Sequence, residues 1–175
     1  MRREARFFLY PLVVVLGVGL LGPYTAHAGD PRTGTWSGGG AIGFLTNTPD
    51  GAAFALNVNA DYFLNRDVSV GPLFQLALTG DLSQLGFSGQ GKFWIELPGT
   101  ENRARLTLQG GLGFVHADLV DSDTSWLIPL GIGLDYKLSQ KVSFMATFLL
   151  NFTELDTGRG TDAHVMPGLT FGLRF

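Results

Sequence analysis

The sequence predicts an all-β fold, an eight-stranded antiparallel up-and-down transmembrane β-barrel preceded by a cleavable signal peptide. Three observations support this prediction. Eight segments alternate apolar and polar side chains, short polar connections separate them, and a basic and then apolar segment precedes them all. A period of two places successive side chains on opposite faces of a strand, whereas a helix would need a period of about 3.6.

The first 28 residues have the organisation of an export signal. Three arginines precede an apolar run, and Ala26 and Ala28 form an A-x-A pattern that fits the subsites of a signal peptidase. The apolar run spans about 15 residues, whereas a transmembrane helix needs roughly 20. We therefore expect cleavage after Ala28, so that 1–28 is a signal peptide and 29–175 is the barrel domain. An uncleaved membrane anchor is the alternative.

The composition excludes several classes of function. Removing the signal segment lowers the formal charge from −3 to about −5, which argues against a nucleic-acid partner. The chain has no cysteine, so it forms neither a disulfide framework nor a thiolate metal site. Its 25 glycines fall largely inside apolar runs, which indicates crowded strands and not a flexible linker. We expect no cofactor and no bound metal.

Each predicted strand has an apolar face for lipid and a polar or small-residue face for the lumen. The apolar faces run, in chain order, from Trp36 to Phe44, Phe54 to Tyr62, Val68 to Leu78, Phe87 to Leu97, Leu106 to Phe114, Trp126 to Tyr136, Val142 to Phe152, and Val165 to Phe175. The lumen face of the last strand runs from His164 to Arg174. A water-soluble barrel with an internal ligand would place its apolar face inside and its charges outside. The observed pattern favours lipid on the outside.

The connections fall into two sets at opposite ends of the predicted barrel. Polar turns follow strands two, four and six, and the remaining connections alternate with them: 65–67, 98–103 and 139–141 in the first set, and 46–51, 81–86, 118–124 and 154–163 in the second. With both termini in the periplasm, the second set faces outside the cell. Those loops are short, which disfavours a receptor or an adhesin. The motif D-Y-x-L-x-x-x-V-S, found at 61–69 and again at 135–143, supports two equivalent hairpins.

The second set of connections is acidic. Its carboxylates are Asp50, Asp81, Asp118, Asp121, Asp123, Glu154, Asp156 and Asp162. The spacing of the aspartates in 118–123 lacks the remaining ligands of a calcium-binding loop. We therefore expect a solvated charged rim, with a divalent-cation site as the alternative.

Aromatic side chains mark the expected membrane interfaces, where an amphipathic ring buries its body and keeps its polar tip in water. The interface residues are Trp36, Tyr62, Trp126 and Tyr136. Three features of this sequence resemble those of the small OmpA/OmpX-type outer-membrane barrels: the signal segment, the repeated hairpin motif and the closing Leu173-Arg174-Phe175. This resemblance implies a location in the bacterial outer membrane, contact with outer-membrane lipid and lipopolysaccharide, and recognition of Phe175 by the barrel assembly machinery. A monomer is expected.

Charged side chains cluster on the lumen faces of the strands. They are Asp61, Lys92, Glu96, Arg105, Asp135, Lys137 and Arg174. An eight-stranded barrel encloses a space just wide enough for side chains to fill, and charges held away from water need partners. We therefore expect an ion-paired network that plugs the lumen. The alternative is a narrow channel for small solutes.

A catalytic function is the alternative of another class, because some barrels of this resemblance deacylate lipid A or transfer an acyl chain to it. By the same resemblance they use a histidine with a serine and an acid. His116 and His164 lie near predicted strand ends, but the deacylase pattern of a histidine followed two residues later by serine is missing, since position 118 is Asp. We assign no catalytic residue. The sequence therefore predicts a non-enzymatic barrel with a structural, envelope-maintenance or adaptor role.

Overall fold

The structure is a computed structural model that describes residues 33–119, 121–158 and 163–175. In this part of the chain eight antiparallel strands form a closed barrel, in which each strand pairs with its neighbours in sequence and the first pairs with the last. The strands are β1 (Trp36–Thr48), β2 (Gly51–Phe63), β3 (Val68–Leu78), β4 (Ser83–Glu96), β5 (Ala104–Asp118), β6 (Ser122–Lys137), β7 (Ser143–Leu155) and β8 (Ala163–Arg174). The predicted fold class is confirmed. The predicted signal peptide at 1–28 lies outside the described residues.

The barrel closes along the seam between β1 and β8, where pairing runs from Gly39 and Arg174 to Leu45 and Gly168. Closure gives each of the eight described strands two partners, so none of them forms an open sheet edge. Within the described residues, no helix reaches the length and apolarity needed to traverse a membrane.

At one end of the barrel the strands extend beyond the apolar band. We call the end where β1 begins and β8 ends the terminal end, and the other the distal end. At the distal end the strands extend further than the alternation predicted. Pairing of β5 with β6 continues to Asp118 and Ser122, and β1 and β2 remain paired at Thr48 and Gly51. Because ladder hydrogen bonds come from the backbone, polar residues continue the strands beyond the apolar band. The distal connections are therefore shorter than predicted.

A register shift in the β7–β8 ladder interrupts the alternation. It lies between Phe152 and Leu155, and Leu155 pairs with Ala163. As a result Ala163 is buried and His164 is exposed. The prediction that His164 lies on the lumen face is therefore wrong.

The outer surface of the barrel is an apolar band. Its large side chains are exposed in this structure, with Leu112 at 71% and Phe44 at 66% of their full area. A surface of this kind is stable only against lipid. The lumen instead carries polar and charged side chains toward the terminal end and, toward the distal end, an apolar layer. This apolar layer is formed by Leu45, Leu82, Val115, Leu127, Leu155 and Met166, together with small alanines.

Candidate functional site

Arg174 and Asp135 form a buried ion pair inside the lumen. Arg174 Nε donates to Asp135 Oδ2 over 2.7 Å and Nη2 donates to Oδ1 over 2.8 Å, so the contact is bidentate. Arg174 Nη1 also donates to Ser37 Oγ over 3.3 Å. Both charged side chains are almost fully buried. Charge-assisted bidentate pairs are strong and fix the geometry of both groups.

Trp94 reaches this ion pair from β4, on the other side of the barrel. The Arg174 guanidinium carbon lies 4.8 Å from the centre of the Trp94 ring, which is the geometry of a cation–π contact. Trp94 Nε1 donates to Ser69 Oγ over 2.9 Å, and the ring packs against Phe63. Side chains from β4, β6 and β8 therefore meet near the axis of the lumen. The alternation from Phe87 to Leu97 implies a lumen position for Trp94, but it indicates no role for this residue.

Asp61 and Lys92 form a second buried pair, on β2 and β4. Lys92 Nζ lies 3.0 Å from the Asp61 carboxylate, and Asn59 Nδ2 donates to Asp61 Oδ2 over 2.7 Å. Asn59 thus holds the Asp61 carboxylate in place while this carboxylate accepts a hydrogen bond from Lys92. Both charges lie in an interior where an unpaired ion would be unstable.

The remaining predicted lumen charges lie at the terminal end. Glu96 Oε1 is 2.7 Å from Arg66 Nη2 and 3.8 Å from Arg105 Nη2, and Lys137 is half-buried nearby at the end of β6. Arg66 belongs to the β2–β3 turn, so the strand pattern did not point to it. Among the contacts of the described residues, four of the seven predicted charges form two buried pairs, and the other three lie together at the terminal end.

Two small cavities lie within the lumen. One, of about 20 Å³, adjoins Trp94 and both buried ion pairs, and the other, of about 10 Å³, lies toward the apolar layer. Each has room for about one water molecule. Three polar atoms around the smaller cavity, Gln84 Oε1, Asn151 Oδ1 and Thr170 Oγ1, are buried without a hydrogen-bond partner among the described protein groups.

The aromatic residues predicted at the interfaces lie on the outer surface. Trp36 and Tyr62 face each other across β1 and β2 at the terminal end, with ring centres 5.1 Å apart. Tyr136 is exposed near that end, and Trp126 lies toward the distal end, where its Nε1 donates to Glu154 Oε2 over 3.3 Å. Phe175 continues from β8, and its backbone N–H and carbonyl both bond to Gly38.

His116 and His164 lie on the outside of the barrel. His116 Nδ1 is 2.7 Å from Thr124 Oγ1, and both residues are exposed. Within the described chain no carboxylate bonds to this imidazole, so the third, orienting group of a nucleophilic triad is missing there. His164 is exposed on β8.

The acidic side chains at the distal end organise its connections. Asp123 accepts from the backbone N–H groups of Thr124 and Asp156, over 2.7 and 2.9 Å. Asp50 bonds to the Thr79 hydroxyl across neighbouring turns. Among the described residues, no three histidine, cysteine, aspartate or glutamate side chains cluster in a way that could hold a metal ion. Asp162 lies outside the described residues.

The closed eight-stranded barrel and its apolar outer surface define a small transmembrane β-barrel of the bacterial outer-membrane type. Two solved structures of outer-membrane barrels are similar to it. Neisserial surface protein A is 15% identical with a TM-score of 0.60, over 79% of this chain and 94% of that one. Ail, the attachment invasion locus protein of Yersinia pestis, is 15% identical with a TM-score of 0.54, over 80% of this chain and 96% of that one.

A de novo designed transmembrane β-barrel is also similar, with 11% identity and a TM-score of 0.51 over 83% of this chain and 98% of the design. No protein-family model matches the sequence, and no curated protein is significantly similar to it. At these identities the similarity concerns the fold. At that level it confirms the resemblance to the small OmpA/OmpX-type barrels.

Proposed function

We propose that this chain is a non-enzymatic barrel of the outer membrane, with a structural, envelope-maintenance or adaptor role and a lumen closed by its own side chains. The observation that carries this proposal is the contact of Arg174 with both Asp135 and Trp94. It joins three strands across the lumen, at a level where the barrel is only wide enough for side chains.

The apolar layer supports the same conclusion at the distal end. Leu82, Leu127 and Met166 are each at most 2% exposed, so they fill the space between the strands. A solute would have to displace both this layer and the Arg174–Trp94 contact. The cavities between them hold about one water each, which does not amount to a conducting column.

Single-channel recording in a planar bilayer tests the proposal directly. Purified wild-type protein is expected to give no stable open level, because the Arg174–Trp94 contact and the apolar layer both block the lumen. A reproducible open level of porin size would contradict the closed lumen and favour the narrow channel instead.

Thiol labelling tests which side chains close the terminal end. The chain has no cysteine, so Gln109→Cys places a single thiol beside the cavity that Trp94 adjoins. A water-soluble thiol reagent is expected to label this thiol slowly, and much faster when Trp94→Ala is added. Trp126→Ala, which removes an outward-facing tryptophan, is the matched control and should leave the labelling slow. Equal rates with Trp94→Ala and Trp126→Ala would show that Trp94 does not close the lumen.

The proposed absence of catalysis rests on the surroundings of His116. Its imidazole pairs with a threonine hydroxyl on the exposed outer face, and none of the described carboxylates orients it as the activation of a nucleophile requires. Incubation with lipopolysaccharide should release no acyl chains from it. Acyl release that is lost in His116→Ala would contradict the proposal and favour a lipid A-modifying enzyme.

The partners follow from the proposed location. The apolar band would contact outer-membrane lipid and lipopolysaccharide, and the barrel assembly machinery would insert the chain. We propose a monomer without a cofactor and without a nucleic-acid partner. The closed sheet supports the monomer, since it leaves no strand edge for pairing with a second copy.

A further inference from the structure

We propose that the terminal end of the barrel contains a binding site for a soluble anion that carries two or more phosphate or carboxylate groups. A cavity of about 450 Å³ opens there, within the size range of small-molecule sites. It is larger than either cavity inside the lumen. Its walls come from the β2–β3, β4–β5 and β6–β7 turns and the strand ends beside them.

Four cationic side chains from these separate segments line the cavity. This basic mouth consists of Arg66, Arg103, Arg105 and Lys137. Three carboxylates belong to the same region: Glu101 lines the cavity, Glu96 contacts two of the arginines, and Asp67 follows Arg66 in the β2–β3 turn. The cations therefore outnumber the carboxylates, in a chain whose overall formal charge is −3. An anion with several charged groups would offset this local excess.

The basic mouth is held in shape by the backbone around it. The Lys137 N–H donates to the Arg103 carbonyl over 2.8 Å, which ties the end of β6 to the β4–β5 turn. In that turn Thr100 Oγ1 donates to the Leu97 carbonyl over 2.7 Å. Arg105 is 5% exposed, so packing restricts its side chain, whereas Arg66 and Arg103 are exposed. Arg105 would therefore lose little conformational freedom when a ligand binds, and this favours affinity.

The residues in the cavity wall indicate the chemistry of the ligand. Three of the four cations are arginines, whose planar forks match phosphate and carboxylate oxygens in bidentate geometry. Arg105 and Lys137 lie on the lumen faces of their strands, while their neighbours Leu106 and Tyr136 lie on the lipid face. The cavity therefore opens along the barrel axis, away from the lipid surface. This orientation favours a dissolved anion over a lipid headgroup.

This inference goes beyond the proposed function, because it does not depend on whether the lumen conducts. The cavity lies at the terminal end, and neither Arg174 nor Trp94 lines it. If the wild-type protein conducts, the closed lumen is contradicted. A pyrophosphate titration would still decide whether the anion site exists.

Titration with inorganic pyrophosphate tests the site. The purified barrel, in nanodiscs of zwitterionic phosphatidylcholine, is followed by NMR through its arginine Nε–Hε resonances. We expect saturable shifts and an affinity that falls as salt is added, because the attraction is electrostatic. The double variant Arg103→Gln/Lys137→Gln should bind at least about tenfold more weakly, because it removes two charge-assisted hydrogen bonds to the anion.

Lys141→Gln is the matched control. Lys141 lies on the same β6–β7 connection but does not line the cavity, so its removal should leave the affinity unchanged. Retained β-sheet circular dichroism shows that each variant is folded. Three outcomes would overturn the proposal: no saturable binding by wild type, equal affinities of wild type and the double variant, or equal losses in the double variant and in Lys141→Gln.

A lipid arm separates the two sources of phosphate. Compared with zwitterionic nanodiscs at the same salt concentration, nanodiscs that contain anionic phosphatidylglycerol should leave the arginine resonances and the pyrophosphate affinity nearly unchanged. If phosphatidylglycerol itself shifts these resonances and abolishes pyrophosphate binding, the occupant is a lipid headgroup and the soluble-anion site is wrong.

Discussion

The guanidinium of Arg174 lies 4.8 Å from the centre of the Trp94 ring, although the two residues belong to β8 and β4 on opposite sides of the barrel. Asp135 on β6 holds the same guanidinium by two hydrogen bonds. The lumen is thus bridged by an aromatic ring, a cation and a carboxylate. In a space this narrow, the stability of the bridge and the stability of the barrel are coupled.

Asp135→Asn tests this coupling. The change leaves the Arg174 guanidinium buried without its negative partner, and breaking a buried pair in this way costs about 3–5 kcal/mol. The free energy of unfolding, measured in urea for the barrel in lipid vesicles, should fall by that amount. Asp67→Asn, at an exposed carboxylate of the β2–β3 turn, should change it by less than about 0.5 kcal/mol. Similar values for both variants would show that the pair has no structural importance.

Gly43→Ala tests the seam between β1 and β8. A methyl group at Gly43 would overlap the Leu169 carbonyl and Thr170 Cα, both backbone atoms that cannot move aside independently. We expect a loss of about 3 kcal/mol or more in unfolding free energy. On unheated gels, a smaller fraction of the Gly43→Ala protein should migrate at the faster mobility of the folded barrel.

Gly91→Ala is the control for the seam. Gly91 lies on the outer face of β4, and an added Cβ meets no atom within 4 Å. The change should stabilise the barrel by up to about 1 kcal/mol, because alanine restricts the unfolded chain. If Gly43→Ala folds as well as Gly91→Ala, close approach at the seam is not a constraint.

Leu112→Arg tests the lipid-facing surface. Leu112 is 71% exposed and lies near the middle of β5, so the substitution places a charge deep in hydrocarbon. The expected cost is about 2–4 kcal/mol. Leu138→Arg, on the β6–β7 connection at the terminal end, should cost about 0–1 kcal/mol. Unfolding in vesicles measures both, and equal costs would place the bilayer elsewhere on the barrel.

Thr170→Val tests whether the smaller lumen cavity holds water. Three buried polar atoms, from Gln84, Asn151 and Thr170, surround a space that fits about one water molecule. We expect a long-lived water that gives NMR cross-peaks to the side-chain amides of Gln84 and Asn151. The isosteric valine removes one of its partners and should weaken those cross-peaks. Their absence in wild type would show that the cavity is dry.

Much of the fold could be predicted from the sequence, because lipid imposes a strict alternation on a spanning strand. Two features escaped that pattern. Strand ends such as Asp118 and Ser122 are polar on both faces, so the alternation could not show that they remain paired. The register shift near Leu155 reverses the orientation of His164, and no sequence signal marked it.

The candidate site was less accessible to sequence reasoning. Alternation assigns Asp61, Lys92, Asp135 and Arg174 to the lumen, but it does not say which charges meet, since that depends on strand tilt and side-chain reach. Arg66 and Arg103 lie in turns, where no periodicity applies, and only the folded barrel brings them beside Arg105. An interior aromatic such as Trp94 is hard to interpret from a pattern that associates tryptophan with interfaces.

The position of Arg174 on the last strand has a consequence for assembly. The cation that bridges the lumen arrives only when β8 docks against β1 and β7, so a barrel without its last strand would lack the Arg174–Trp94 contact. Under the closure that we propose, the terminal end would be sealed in the same step that completes the barrel. A chain arrested before its final strand would then limit leakage across the membrane by what remains of the apolar layer alone.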